Sequence, residues 1–292
     1  MAKVVVVTGA NRGLGFATVR EMMKRPEFEE SIVYLTSRDS SKGKEAVEKM
    51  QQELGQDLTS RLRLHQLDIT NDASVTSFSD HLKQEHNGID VLVHNAGMAF
   101  TNDSSTPFSE QARCTIDTNY FGTRRVARAL HPLLRFGARV VLITSNCGHL
   151  SKINGHEPEA SKLRQRFASE DLADQELCSL MEDFVQAAEE GDHVVKGWPN
   201  SAYKVSKVGV SALARILQKE EDEENKVVVN HAHPGWLDTD MTRGAGHWPV
   251  TKGTTSVLWA ATLPLDTKVR GEYIWEDATV TSWVNEEVNL FY

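Results

Sequence analysis

Seven short β-branched runs, separated by amphipathic stretches, constrain this chain more than any other feature. The runs are residues 4–8, 32–36, 61–66, 91–94, 140–144, 227–230 and 272–275. Each is too short for a helix and apolar enough to be buried as a strand. Between them, residues 14–24, 42–54, 73–85, 123–134, 202–218 and 254–263 place apolar side chains at helical spacing. Strand and helix in alternation join parallel strands through crossover helices. The expected fold class is therefore α/β, a doubly wound Rossmann-type parallel sheet with helices on both faces.

One stretch breaks the rhythm. From about 150 to 197 no strand is legible, while 163–167 and 177–188 carry helical apolar spacing among many charges. This reads as a helical insertion. No Pro- or Gly-rich linker or internal repeat divides the 292 residues, so a single domain over 1–292 is expected. The acidic run 220–224 reads as a solvated helix end.

Cys114, Cys147 and Cys178 are odd in number and lack C-x-x-C spacing, so no disulfide framework or cysteine zinc site is suggested. That fits a reducing, cytoplasmic compartment. The first apolar run is too short for a signal peptide or membrane span. A net charge of −9 argues against a general nucleic-acid binder, which needs a basic surface. His231 and His233 lie two apart without a third ligand at diagnostic spacing, so no metal is expected. His65, His94 and His149 read as structural, His149 with reach to a pocket rim.

Directly after the first run comes Thr8-Gly9-Ala10-Asn11-Arg12-Gly13-Leu14-Gly15, leading into a helix. Gly9 tolerates positive φ, and Gly13 and Gly15 let a pyrophosphate approach backbone N–H groups at the positive helix end. The spacing is G-x-x-x-G-x-G, unlike the G-x-G-x-x-G fingerprint. At the end of the second run, Thr36-Ser37-Arg38-Asp39 puts an arginine where the 2′-phosphate of NADP would lie, with Arg12 as a second cation. Asp39 competes, since a one-residue shift would turn its carboxylate to the ribose of NAD. NADP(H) is the expected cofactor.

In Tyr203-Lys204-Val205-Ser206-Lys207, positions i and i+4 share one helical face, so Tyr203 and Lys207 are neighbours. A nearby ammonium favours the phenolate, and such a phenol can give a proton to a forming alkoxide. Ser145 follows the fifth run at the sheet edge where open α/β folds bind ligands, and its hydroxyl can bond a carbonyl oxygen as charge develops. Asn95-Ala96-Gly97 follows the fourth run at the same edge, and Asn119 lies in the next helical stretch.

The glycine turn, Asn95-Ala96-Gly97, Asn119, Ser145 and Tyr203-x-x-x-Lys207 occur in the order and spacing of the short-chain dehydrogenase/reductases, a resemblance covering nearly the whole chain. Within that family the chain is similar to the monomeric carbonyl reductases. The likeness rests on the long insertion before the tyrosine, Gly197-Trp198-Pro199-x-Ser201-Ala202-Tyr203, Phe121-Gly122-Thr123-Arg124 and Pro234-Gly235-Trp236-x-x-Thr239-Asp240-Met241.

The resemblance implies NADPH-dependent reduction of aldehydes, ketones and quinones. Tyr203 would be the general acid, Lys207 would lower its pKa and hold the nicotinamide ribose, and Ser145 would orient the carbonyl. Asn119 would position a water leading from Lys207 to solvent. Gly9, Asn11, Arg12, Gly13, Leu14, Gly15, Arg38, Asp68, Ile69, Asn95, Pro234, Gly235 and Thr239 would line the cofactor, with Asp68 at the adenine and Thr239 at the carboxamide. Trp236 and Met241 would line a pocket for apolar carbonyl compounds. The insertion would cover the tyrosine-bearing helix, implying a monomer. Two departures stand out: His233 precedes Pro234 where some carbonyl reductases carry cysteine, and Asn146-Cys147 follow Ser145.

A dedicated hydroxysteroid or prostaglandin dehydrogenase would share these catalytic residues. A non-catalytic NADP-sensing protein would usually lack Tyr203 or Lys207. A methyltransferase on a similar fold would not require Y-x-x-x-K.

Overall fold

The computed structural model describes residues 2–101, 103–221 and 223–285. Leu290, Phe291 and Tyr292, which the sequence left unassigned, lie outside them. Among the described residues one sheet has eight strands: β1 (Lys3–Val7), β2 (Ser31–Ser37), β3 (Leu62–Gln66), β4 (Ile89–His94), β5 (Leu134–Ile143), β6 (Val228–Ala232), β7 (Tyr273–Ile274) and β8 (Val280–Thr281). Their order is β3-β2-β1-β4-β5-β6-β7-β8. Every neighbouring pair is parallel except β7 with β8. The order reverses between β1 and β4, the switch point that opens a crevice outside the strand ends.

The helices are α1 (Gly13–Lys24), α2 (Ser40–Leu54), α3 (Gln56–Thr59), α4 (Asp72–His86), α5 (Phe108–Ile116), α6 (Thr123–Leu130), α7 (Glu159–Ala168), α8 (Asp174–Glu190), α9 (Ala202–Glu220) and α10 (Val250–Ala261). Strand side chains alternate between faces, and β1 is buried on both, which explains why Val4–Val7 is apolar at every position. Val4 and Val6 enter a core shared with α4, α5, α6, α8 and α9, and Val5 and Val7 enter the opposite core against α1, α2 and α10. The doubly wound fold expected from the sequence is the one observed.

Three local readings change. The helix read over 123–134 stops at Leu130, because Pro132 in the turn His131–Leu133 cannot continue it, and the chain is already in β5 at Leu134. The helix α5 and the antiparallel β8 were not read at all. The acidic run 220–224 is not simply a solvated helix end: Glu220 binds Arg128, and the buried Glu221 meets His131.

The helical insertion before Tyr203 is present as α7 and α8. Leu177, Met181 and Phe184 of α8 are fully buried, and burying such side chains contributes about 1.5–3 kcal/mol each. Gly209 on α9 allows the approach, since a Cβ there would sit 2.6 Å from the Met181 sulfur. Asp174, opening α8, takes a two-point bond from Arg124 at 2.9 and 2.6 Å and a third contact from Arg128 at 3.1 Å. Arg128 also holds Glu220 at the end of α9. The insertion is thus packed on the middle of the helix bearing Tyr203 and Lys207 and tied to its C-terminal end through Arg128.

Candidate active site

Seven parallel strands end at one edge of the sheet, and the residues just past six of them, β1 to β6, line a cleft of about 1140 Å³. That exceeds the usual volume for a drug-sized ligand, roughly 300–1,000 Å³, and leaves room for a dinucleotide beside a second molecule. The glycine turn after β1 forms one wall. Gly9 has φ +61 and packs so closely that a Cβ would fall 2.9 Å from Ala96. The Thr8 hydroxyl accepts from the backbone N–H groups of Asn95 and Ala96, and the Asn95 amide donates to the carbonyls of Thr8 and Gly9. Asn95 therefore locks the ends of β1 and β4 together while also facing the cleft.

Helix α1 starts at Gly13 with no side chain capping it and no acidic residue in its first turn. Its first N–H groups and positive end suit a phosphate, which tests well against the expected pyrophosphate. Gly15 does not line the cleft; it keeps α1 close, since a Cβ there would sit 2.4 Å from the Asn95 amide nitrogen. Asn11, Arg12, Gly13 and Leu14 do line it, as do Arg38, Asp68 and Ile69.

Helix capping sets Arg38 and Asp39 apart. Asp39 is the N-cap of α2, and its Oδ1 accepts from the N–H groups of Ser41 and Lys42. Those bonds hold its carboxyl below the usual range, the Lys42 N–H first among them. Arg38 faces the cleft and Asp39 is committed to the helix. Arg12 reaches Asp240 at 3.2 Å, both side chains being more than 70% exposed, so the pair is worth little and yields easily to an anion. Asp68 is fixed by Thr70, whose N–H and hydroxyl both donate to Oδ1.

At the end of β5, Ser145 is held by bonds to both its side chain and its carbonyl. Its Oγ accepts from the Cys147 N–H at 3.2 Å and donates to Asn146 Oδ1 at 3.0 Å, and Tyr273 donates to its carbonyl at 2.8 Å. Tyr203 and Lys207 rise from α9 onto this edge as the i, i+4 spacing requires, with Lys207 Nζ 5.7 Å from the Tyr203 ring centroid. The ammonium donates to the Ile143 carbonyl at 2.8 Å.

Burial pushes the Tyr203 phenol up, nearby Cys147 adds to this, and the hydrogen bond with Ser145 pulls it back. The phenol is thus shifted opposite to the direction expected from Lys207, with burial as the largest cause. Burial lowers Lys207 to about 8. A lysine lowered from 10.5 destabilises the fold by about 3 kcal/mol below pH 8. That cost disappears as the pH rises from 8 to 10.5.

Asn119 sits in a π-helical turn, Asp117–Gly122, between α5 and α6. It does not line the cleft. Its Oδ1 accepts from the Met98 N–H, and its amide donates to the Met98 carbonyl and to Ser206 Oγ. These bonds hold the segment after β4 against α9. Its neighbour across this junction is Lys207, whose Nζ lies 3.7 Å from a Cβ built on Gly97.

Pro234, Gly235, Trp236, Thr239 and Met241 close the far side of the cleft. Thr239 caps a short turn with Thr242, and Trp236 and Met241 are 38% and 46% exposed toward it. His149 does not reach the rim: it is buried, with its ring bonded to Ser151 and the Ser282 carbonyl. His231 stacks on Tyr273 and His233 packs edge-on to Trp275. Among the described residues no group of three His, Cys, Asp or Glu is placed to hold a metal. No helix there is long and apolar enough to cross a membrane.

Sequence reasoning missed Tyr273, Ser206 and Met98 as supports of the site. Their partners are distant in the chain, so no local pattern announces them.

The family model for short chain dehydrogenases matches residues 3–176. The chain is 39% identical over 286 residues to carbonyl reductase (NADPH) 3 of Rattus norvegicus, covering 97% of this chain and 99% of that protein. It is 40% identical over 284 residues to carbonyl reductase (NADPH) 1 of the same organism, covering 96% and 98%. Among solved structures, salutaridine reductase from Papaver somniferum matches with a TM-score of 0.78 at 27% identity, over 93% of this chain and 99% of that one. An NADPH-bound carbonyl reductase from chicken fatty liver, at 21% identity and a TM-score of 0.67 over 97% and 99%, shares the fold. With its sheet order, its glycine turn and these matches, the chain belongs to the short-chain dehydrogenase/reductase family.

Proposed function

We propose that this chain is an NADPH-dependent carbonyl reductase acting on aldehydes, ketones and quinones. The observation that carries the reading is the convergence of Ser145, Tyr203 and Lys207 on one cleft with the glycine turn and Arg38. The cofactor, when bound, supplies the hydride. Gly13 and Leu14 would receive the pyrophosphate, Arg38 and Arg12 the 2′-phosphate, and Asp68, Asn95, Pro234, Gly235 and Thr239 the remaining length. The Ser145 hydroxyl orients the carbonyl oxygen, and the Tyr203 hydroxyl protonates it as the alkoxide forms. Lys207 holds the ribose and the charge beside Tyr203. Asn119, turned away from the cleft, shapes this junction from behind.

The chain is read as one domain, and as a monomer because α8 already covers α9 and α5 with apolar side chains; the free thiols of Cys114, Cys147 and Cys178 support a reducing compartment such as the cytoplasm. The test is oxidation of NADPH by the purified protein with a small quinone and an aromatic aldehyde, beside NADH, on a sample whose mass is read by sedimentation. Turnover with NADPH by a single 32.6 kDa species supports the reading. Binding of NADPH without turnover over a wide carbonyl panel points to a sensor, and failure to bind it removes the cofactor assignment.

A pH dependence follows from Lys207. The ammonium is the form that holds a ribose and favours ionisation of its neighbour, and it is lost as the pH rises through about 8. Because kcat/KM reports groups of the free enzyme, it is expected to be flat below pH 8 and to fall about tenfold per pH unit well above it. A profile flat to pH 10 removes Lys207 from that role.

A further inference from the structure

The end of β7 and the segment that closes the cleft meet at two buried polar atoms without hydrogen bonds. His233 Nε2 and Glu276 Oε2 each lack a partner and lie 3.6 Å apart, with side chains 2% and 12% exposed. Buried atoms of this kind are normally paired. Burial holds His233 neutral, its pKa lowered to about 3, so one ring nitrogen carries the proton. Its Nδ1 accepts from the Gly235 N–H at 3.3 Å, which puts that proton on Nε2, facing Glu276.

Burial raises the Glu276 carboxyl, and a hydrogen bond with the Trp248 side chain works against that rise. Trp248 closes the base of the loop: its N–H donates to the Trp236 carbonyl at 3.1 Å, and its carbonyl accepts from the Asp238 N–H at 2.8 Å. One carboxylate therefore faces the start of the loop through His233 and Gly235 and its end through Trp248. Between those points lie Trp236 and Met241, which face the cleft. Gly235, at φ +94, leaves room for this carboxylate, since a Cβ there would sit 2.7 Å from Glu276 Oε2.

We infer that Glu276 is a positioning residue of the carbonyl pocket, fixing both ends of the 235–248 loop through His233 and Trp248. The inference rests on the proposed reductase reading for its effect on catalysis, but not for the anchoring itself. A carboxylate attracts the N–H at both ends, bonding Trp248 and drawing His233 Nε2 electrostatically across 3.6 Å. Glutamine offers one acceptor and one donor, so it keeps one end only.

The experiment compares Glu276→Leu, Glu276→Gln and Trp248→Phe with the native chain, by steady-state kinetics and by hydrogen exchange of the 235–248 amides. Glu276→Leu is expected to raise KM for the carbonyl compound about tenfold and, because Gly235 and Thr239 on the same loop line the cleft where the cofactor is proposed to lie, to raise the Kd of NADPH a few fold, with kcat changed less than threefold. Glu276→Gln should fall between it and the native chain. Trp248→Phe, at a partly exposed site, should raise KM in the same direction, and combined with Glu276→Leu it should add little. Exchange in 235–248 should speed up at least tenfold in Glu276→Leu while β1, β4 and β5 stay protected. Unchanged loop exchange in Glu276→Leu and Trp248→Phe overturns the inference, as does a loss confined to kcat. If the native chain reduces no carbonyl compound yet loop exchange responds, the anchor stands and the reductase reading fails.

Discussion

Tyr203→Phe is expected to lower kcat for carbonyl reduction by about 10²–10⁴-fold, the range that a positioned general acid contributes. The substitution removes one hydroxyl and keeps the ring that packs on α9. NADPH affinity should therefore change less than threefold, because Lys207 stays bonded to the Ile143 carbonyl and the glycine turn is untouched. The direction of the phenol's shift bears on the role. A group pushed up by burial keeps its proton at neutral pH, which is the state a reduction requires of its acid. The check is single-turnover reduction with saturating NADPH, beside a direct binding titration. Retention of more than a tenth of native turnover would mean that another proton source serves the alkoxide.

The second large effect concerns cofactor choice. Replacing Arg38 by alanine should lower kcat/KM for NADPH roughly ten- to a hundredfold and leave that for NADH almost unchanged, since a charge-assisted hydrogen bond is worth about 1.5–3 kcal/mol. Arg12→Ala should act in the same direction and more weakly. Its guanidinium begins in an exposed pair with Asp240, which costs under about 1 kcal/mol to give up. Asp39→Asn serves as the control. If Asp39 acts only as the cap of α2, the change should slightly lower stability and leave cofactor preference alone. A swing toward NADPH in Asp39→Asn would place its carboxylate at the ribose after all. The measurement is the NADPH to NADH ratio of kcat/KM for each variant.

Much of this was legible in the chain because the governing interactions are local. The run over 4–8 could only be a strand buried on both faces, and the turn that follows needs small residues wherever β1 passes close to β4. Tyr203 and Lys207 declare their proximity by helical spacing alone. Distance in sequence hid the rest. Tyr273 supports Ser145 from 128 residues away, and the Glu276, His233 and Trp248 contacts join three separate segments. Asn119 could be picked out by resemblance, but its π-helical setting and its bonds to Met98 and Ser206 left no trace in the pattern. Asp39 was ambiguous for another reason: an aspartate at a strand end can cap the next helix or face the ribose, and only the backbone path decides.

The support beneath Tyr203 comes from its own chain. Helix α8 lies on α9 through Met181 and Gly209, and Asp174 ties its start to Arg124 and Arg128. A scaffold built from a neighbouring subunit is lost by mass action once the protein is dilute enough. A tethered one has no dissociation constant, so the support that α8 gives to the helix of Tyr203 and Lys207 does not weaken on dilution.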